Sequence, residues 1–113
     1  MATPIDVDQK ERYLREIAPA AAQVCPQYGL DPKRCILEGA VASSCGRFSL
    51  GFNWWNLQGA GDAGFYTCIV PLRTGQAKGG GWQAAEQRLA KFRSPFSAVE
   101  AWCRAQGGGN VRA

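Results

Sequence analysis

The chain has no histidine among its 113 residues. The usual base that turns a cysteine into a thiolate nucleophile is therefore missing, and cysteine-peptidase chemistry is not expected. The five cysteines, Cys25, Cys35, Cys45, Cys68 and Cys103, form no C-x-x-C pair, so a zinc site is not expected either. Their number is odd, which leaves at least one thiol unpaired in a monomer. Buried apolar thiols are the simplest reading. Cys35 and Cys45, read on one helix, would stand about 15 Å apart along it, too far for a disulfide. One bridge from Cys45 or Cys68 to a neighbour stays open.

Long apolar runs are missing too. No stretch approaches the ~20 residues that cross a membrane. The N-terminus, MATPIDVDQKERY, has no apolar run of the signal-peptide kind. Charged residues make up only 19% against 46% hydrophobic ones, which predicts a globular chain. The net charge of +4 suits an anionic partner, cell-wall polymer or nucleic acid. The Lys and Arg residues are scattered and form no stripe, which weighs against nucleic acid. Gly59–Gly64 reads as a flexible turn with no helix after it, so a nucleotide site is not expected.

What is present organises itself around Pro32–Gly59. Asp31 can cap a helix, and Pro32 suits its first position. Ile36, Leu37, Ala40, Val41 and Ser44 recur at helical spacing, which predicts one buried face. Gly46 reads as the helix end. Ser43, Ser44 and Gly46 keep that end slim, so a substrate chain can lie close. The loop beyond carries Trp54 and Trp55, one expected in the core and the other free to stack on a sugar face. Asn53, Asn56 and Gln58 can hydrogen-bond acetamido groups or hydroxyls, or tie down their own loop.

The remaining chain supplies a frame. A first helix is predicted over 5–17, with Tyr13, Leu14 and Ile17 as its apolar stripe. Pro19 is expected to break or kink it before it resumes over 20–25. Residues 65–72 and 82–92 read as two strands joined by a glycine-rich hairpin. A last helix runs over 94–106, with Phe96, Val99, Trp102 and Cys103 facing inward. A single domain over 1–106 follows, with 107–113 a glycine-rich tail or the start of a linker.

Four segments resemble one family. Ile17-Ala-Pro-Ala-Ala-Ala through Tyr28-Gly-Leu, Ile36 through Arg47, Asn53-Trp-Trp-Asn-Leu-Gln-Gly, and Phe92-Arg-Ser-Pro-Phe stand in the family's order. They are similar to the I-A-P-A-A, L-E-S-G-W-G, N-P-W-N-I-K-G and F-R-x-Y-x-S motifs of glucosaminidase-type peptidoglycan hydrolases. Those are glycoside hydrolase family 73, of the lysozyme-like superfamily. The resemblance implies an α+β, mainly helical, lysozyme-like fold with a small β-hairpin lobe. It implies hydrolysis of a β-1,4 bond between N-acetylglucosamine and N-acetylmuramic acid in peptidoglycan by general acid catalysis, without cofactor.

One departure bears on that activity. The family's catalytic glutamate falls on Ala42, and a methyl group cannot donate a proton to a glycosidic oxygen. Either the alanine was introduced to trap a substrate complex, or the chain is a natural pseudoenzyme of a phage tail or secretion apparatus. Glu38 lies one turn before it on the same face. The family's second carboxylate, from a T-x-E-Y segment, falls on Gln76, and Glu86 is the nearest real carboxylate, with Asp62 further out. Substrate contacts are expected from Glu38, Ser43, Trp54, Trp55, Asn56, Gln58 and Gln76. A lytic transglycosylase, which needs one acid, is the alternative enzyme. The expected partner is the glycan strand, met by a monomer. The N-terminus reads without a leader, for which phage delivery, a specialised secretion route, a removed signal or a cloned fragment would each account.

Overall fold

The computed structural model describes residues 7–73 and 81–106. Gln76, most of the hairpin connection and the glycine tail fall outside the described residues. Helix α1 spans Val7–Val24 and runs into a tight helical turn, Cys25–Tyr28. Gly29, at φ 69°, closes that turn in the left-handed conformation glycine adopts without strain. Helix α2 spans Pro32–Ser43, and Asp31 caps it by accepting a hydrogen bond from the Lys33 amide. A long loop leads to strands β1, Phe65–Arg73, and β2, Trp82–Ala90, an antiparallel pair. Helix α3, Pro95–Gln106, follows, with Ser94 accepting from the Ser97 amide at its start. The result is the lysozyme-like α+β architecture, mainly helical with a two-stranded lobe.

The core lies where α1 packs against α2 and α3. Tyr13, Ile17, Ala20, Ala21 and Val24 form the buried side of α1. Ala98, Val99, Trp102 and Cys103 do the same for α3. Removing side chains such as Ile17 and Val99 from water stabilises the fold by about 1.5–3 kcal/mol each. The β hairpin pairs mainly with itself and stands out from this helical body. All five thiols are free: Cys25, Cys35 and Cys103 are buried together, and Cys45 and Cys68 are half-buried.

Four expectations change. Helix α1 does not break at Pro19; it runs through it. The proline ring faces solvent, while Ile17, Ala20 and Ala21 on either side are packed and hold the turn in place. Leu14 and Phe96 lie at the exposed edge of their helices rather than inside. Helix α2 ends at Ser43, with Ser44 left-handed, so Gly46 and Cys45 belong to the loop.

The last correction concerns the face of α2. Cys35, Gly39 and Ser43 point inward, whereas Leu37 and Val41 are 64% and 84% exposed. The small residues let α2 approach its neighbours closely. A Cβ on Gly39 would sit 2.5 Å from the Tyr13 hydroxyl and 3.0 Å from Trp55 Nε1.

Candidate glycan-binding site

The outer face of α2 presents Leu37, Glu38, Val41 and Ala42, all exposed. Ala42 is in the last turn, so a longer side chain there would reach into open space. Glu38 is one turn earlier on the same side, about 6 Å away along the axis. Its two oxygens already have partners. Arg34 Nε donates to one at 2.8 Å, and Trp102 Nε1 donates to the other at 3.3 Å. Both partners hold the carboxylate toward the N-terminal half of α2 and toward α3, away from position 42.

A row of aromatic rings packs against the opposite, inner side of α2 and reaches Glu38 at its Trp102 end. Tyr13 meets Trp54 edge-on at 5.6 Å, Trp54 meets Trp55 at 5.4 Å, and Trp55 lies tilted against Trp102 at 6.1 Å. Arg34 sits over the Trp102 ring at 5.5 Å. Trp54 is the core tryptophan, 2% exposed. Trp55 is half-buried, and its indole N–H donates to the Cys35 carbonyl, which fixes its ring against α2. A ring so fixed loses little freedom when a flat ligand stacks on it.

The loop that carries these tryptophans is shaped by left-handed residues, among them Ser44, Cys45, Gly46, Gly51, Phe52 and Asn56. Ser43 was expected to meet substrate. It is buried instead, and its hydroxyl donates to Gly39 O and accepts from the Gly46 amide, both at 2.7 Å. It therefore ties off the helix end. Asn53 is likewise internal: its amide donates to the Leu57 and Ala90 carbonyls and accepts from the Leu57 amide. Those bonds join the loop to the end of β2. Asn56 and Gln58 are exposed and stay available to a ligand.

Glu86 stands on β2 opposite Ile69, on the more exposed side of the hairpin with Thr67 and Arg88. No described contact brings it to α2. Asp62 accepts from the Arg93 amide and so pins the 59–64 turn to the start of α3. Gly59, Gly61 and Gly64 do carry the spacing of a phosphate-binding G-x-G-x-x-G. Strand β1 follows, so no helix N-terminus faces the turn. Among the described residues no group of His, Cys, Asp or Glu is placed to hold a metal. The described helices include none long and apolar enough to cross a membrane.

Sequence reasoning missed the Arg34–Glu38–Trp102 contact. Arg34 and Glu38 are at i, i+4 spacing, a signal for the ion pair, but nothing local announces a tryptophan 64 residues away.

No protein-family model and no curated protein sequence matches the chain. Solved structures do. The catalytic domain of the autolysin Auto from Listeria monocytogenes superposes with a TM-score of 0.76 at 20% identity, over 96% of this chain and 62% of that domain. The truncated glycoside hydrolase domain of Salmonella typhimurium FlgJ gives 0.61 at 11% identity, over 85% of this chain and 67% of that one. A peptidoglycan hydrolase from Sphingomonas sp. A1 gives 0.59 at 15% identity, over 88% and 62%. The chain has the fold of these hydrolase domains and spans roughly two thirds of their length or somewhat less.

Proposed function

We propose that the chain is a glycan-strand-binding domain of the glucosaminidase type, glycoside hydrolase family 73, acting on bacterial cell-wall peptidoglycan. The observation that carries this is the coincidence of two independent resemblances. The four sequence motifs stand in the family's order, and the fold matches solved domains named as an autolysin and as peptidoglycan or glycoside hydrolases. The loop after α2, with half-buried Trp55 and exposed Asn56 and Gln58, has the chemistry a sugar chain needs: a fixed ring for C–H faces and free amides for hydroxyl and acetamido groups.

In this reading position 42 is the acid position of the parent reaction, cleavage of a β-1,4 bond between N-acetylglucosamine and N-acetylmuramic acid. The parent acid protonates the leaving oxygen as positive charge builds on the sugar ring. Alanine supplies no proton, so the chain as it stands binds glycan without cutting it. Glu38 does not substitute, because Arg34 and Trp102 hold it a turn away. Glu86 is the proposed carboxylate of the hairpin lobe, which reaches the cleft only if the lobe folds toward α2. The working unit is the single domain over 1–106, acting at the wall as a monomer.

The test is digestion of purified peptidoglycan by this chain and by Ala42→Glu, with released fragments separated and weighed. The reading predicts binding by both and cleavage by Ala42→Glu alone. Reducing-end products would name a hydrolase and the bond cut. Anhydro products would move the parent to the lytic transglycosylases, which need one acid only. Failure of both proteins to bind would overturn the reading.

A further inference from the structure

A second cleft lies between the first turns of α1 and the loop after α2. Its volume is about 240 Å³, and Gln9, Arg12, Glu16, Ser49 and Phe52 are among the residues around it. Tyr13 and Trp54 form its floor. Phe52 and Trp54 meet edge-on at 5.9 Å, so the floor is a corner of aromatic rings.

Trp54 holds the feature that requires explanation. It is 2% exposed, yet its indole N–H has no hydrogen-bond partner among the described residues. The other described indoles differ: Trp55 donates to Cys35 O, and Trp102 donates to Glu38. A buried donor left unpaired costs about 1–3 kcal/mol, so buried N–H groups generally have partners.

The orphan donor lies beside Gly46, and both residues line the cleft. A point one bond off the Gly46 Cα, where a Cβ would sit, is 3.4 Å from Trp54 Nε1 and 3.3 Å from Gln9 Nε2. The orientation of the Gln9 amide is fixed by its neighbours. Arg12 donates to its oxygen at 3.1 Å, and its nitrogen donates to the Cys45 carbonyl at 2.9 Å. One N–H of that nitrogen remains. Both nitrogens therefore lie beside the bare Cα of Gly46, where the cleft wall carries no side chain. At the rim, Glu16 is exposed and its carboxylate has no described partner, so it can accept from hydroxyls.

The geometry points to this cleft as a binding site for an N-acetylated hexosamine, separate from the exposed face of α2. The acetamido carbonyl accepts from Trp54 Nε1 and Gln9 Nε2. The acetyl methyl lies against Phe52 and Tyr13, and ring hydroxyls donate to Glu16. The ligand class follows from two neighbouring donors beside an apolar corner of one cleft; that the sugar comes from wall glycan rests on the function proposed above.

Nuclear magnetic resonance of the ¹⁵N-labelled chain tests it directly, because each tryptophan gives its own indole N–H signal. The probe is N,N′-diacetylchitobiose, with cellobiose, which has no acetamido group, as the control. The expected result is a saturable shift of the Trp54 signal with the acetylated sugar and none with cellobiose. Glu16→Gln is expected to raise the dissociation constant two- to fivefold, and Gln9→Leu by fivefold or more. Glu16 is exposed and unpartnered, so its variant reads binding without threatening the fold. A shift of Trp55 with Trp54 unmoved would overturn this site while leaving Trp55 and its loop neighbours as the glycan site. Equal Trp54 shifts with both sugars would overturn the acetamido assignment. No movement of either signal would sink this site and count against the proposed function together.

Discussion

At the scale of single residues, small polar side chains do the holding. Asn53 is fully buried and closes three hydrogen bonds across the loop. Asn53→Ala strands the Leu57 amide and removes a donor from the Ala90 and Leu57 carbonyls, of which Leu57 keeps its bond from the Ala90 amide; it is expected to lower stability by about 1–3 kcal/mol, read as a fall in the urea midpoint at unchanged slope. Asn53→Asp should do worse, because a carboxylate would face the Leu57 and Ala90 carbonyls it cannot donate to. The sequence left Asn53 open between a ligand contact and a loop tie, because nothing in N-W-W-N says which asparagine faces inward. Asp31 was legible because a cap acts on amides two residues away, within reach of local reasoning.

Among the elements, α2 teaches the most. Its sequence holds two stripes at the same helical period: Leu37 and Val41, and Cys35, Gly39 and Ser43. Periodicity gives the spacing but not which stripe faces the core: of the predicted face, Ile36 and Ala40 pack at the edge of the core, whereas Leu37 and Val41 turn outward. Close approach decided it, since only small residues fit against Tyr13, Trp54 and Trp55. Gly39→Ala is therefore expected to destabilise by about 1–3 kcal/mol through overpacking, despite the better helix propensity of alanine. Tyr13→Phe removes the atom closest to the added methyl together with that hydroxyl's hydrogen bond to the Ile36 carbonyl, so it is expected to cost less in the Gly39→Ala background than alone, a non-additivity a double-mutant cycle would read. The two strands and α3 were legible to within a few residues, because β-formers followed by a glycine run and a single apolar stripe leave one option each. The through-running α1 was not, because tertiary packing on both sides of Pro19 overrode a local breaker.

Over the whole molecule, three buried thiols sit together where the turn after α1, α2 and α3 meet. Cys103 donates to Cys25 at 3.7 Å. Burial, with Cys25 beside it, pushes the Cys103 thiol up from 9.0 to about 12. The same causes raise Cys35, and burial raises the Tyr13 hydroxyl. Between pH 9 and 12 the unfolded chain has lost thiol protons that the folded chain keeps. Stability is therefore flat below about pH 9 and falls above it, by about 1.4 kcal/mol per pH unit for each such thiol. Urea midpoints at pH 8 and 10.5, under reductant, check this; equal midpoints would contradict it.

The central claim is that position 42 is where the parent reaction's proton comes from. It is tested most directly by comparing glycan cleavage by Ala42→Glu and Ala42→Gln, which are alike in size and differ in the acid. Both side chains have room at the exposed end of α2. The account predicts cleavage by the glutamate variant, at least a hundredfold faster than by the glutamine variant, in line with the ~10²–10⁴-fold contribution of a positioned general acid. Equal rates, or no cleavage by either when both bind the strand, would contradict it.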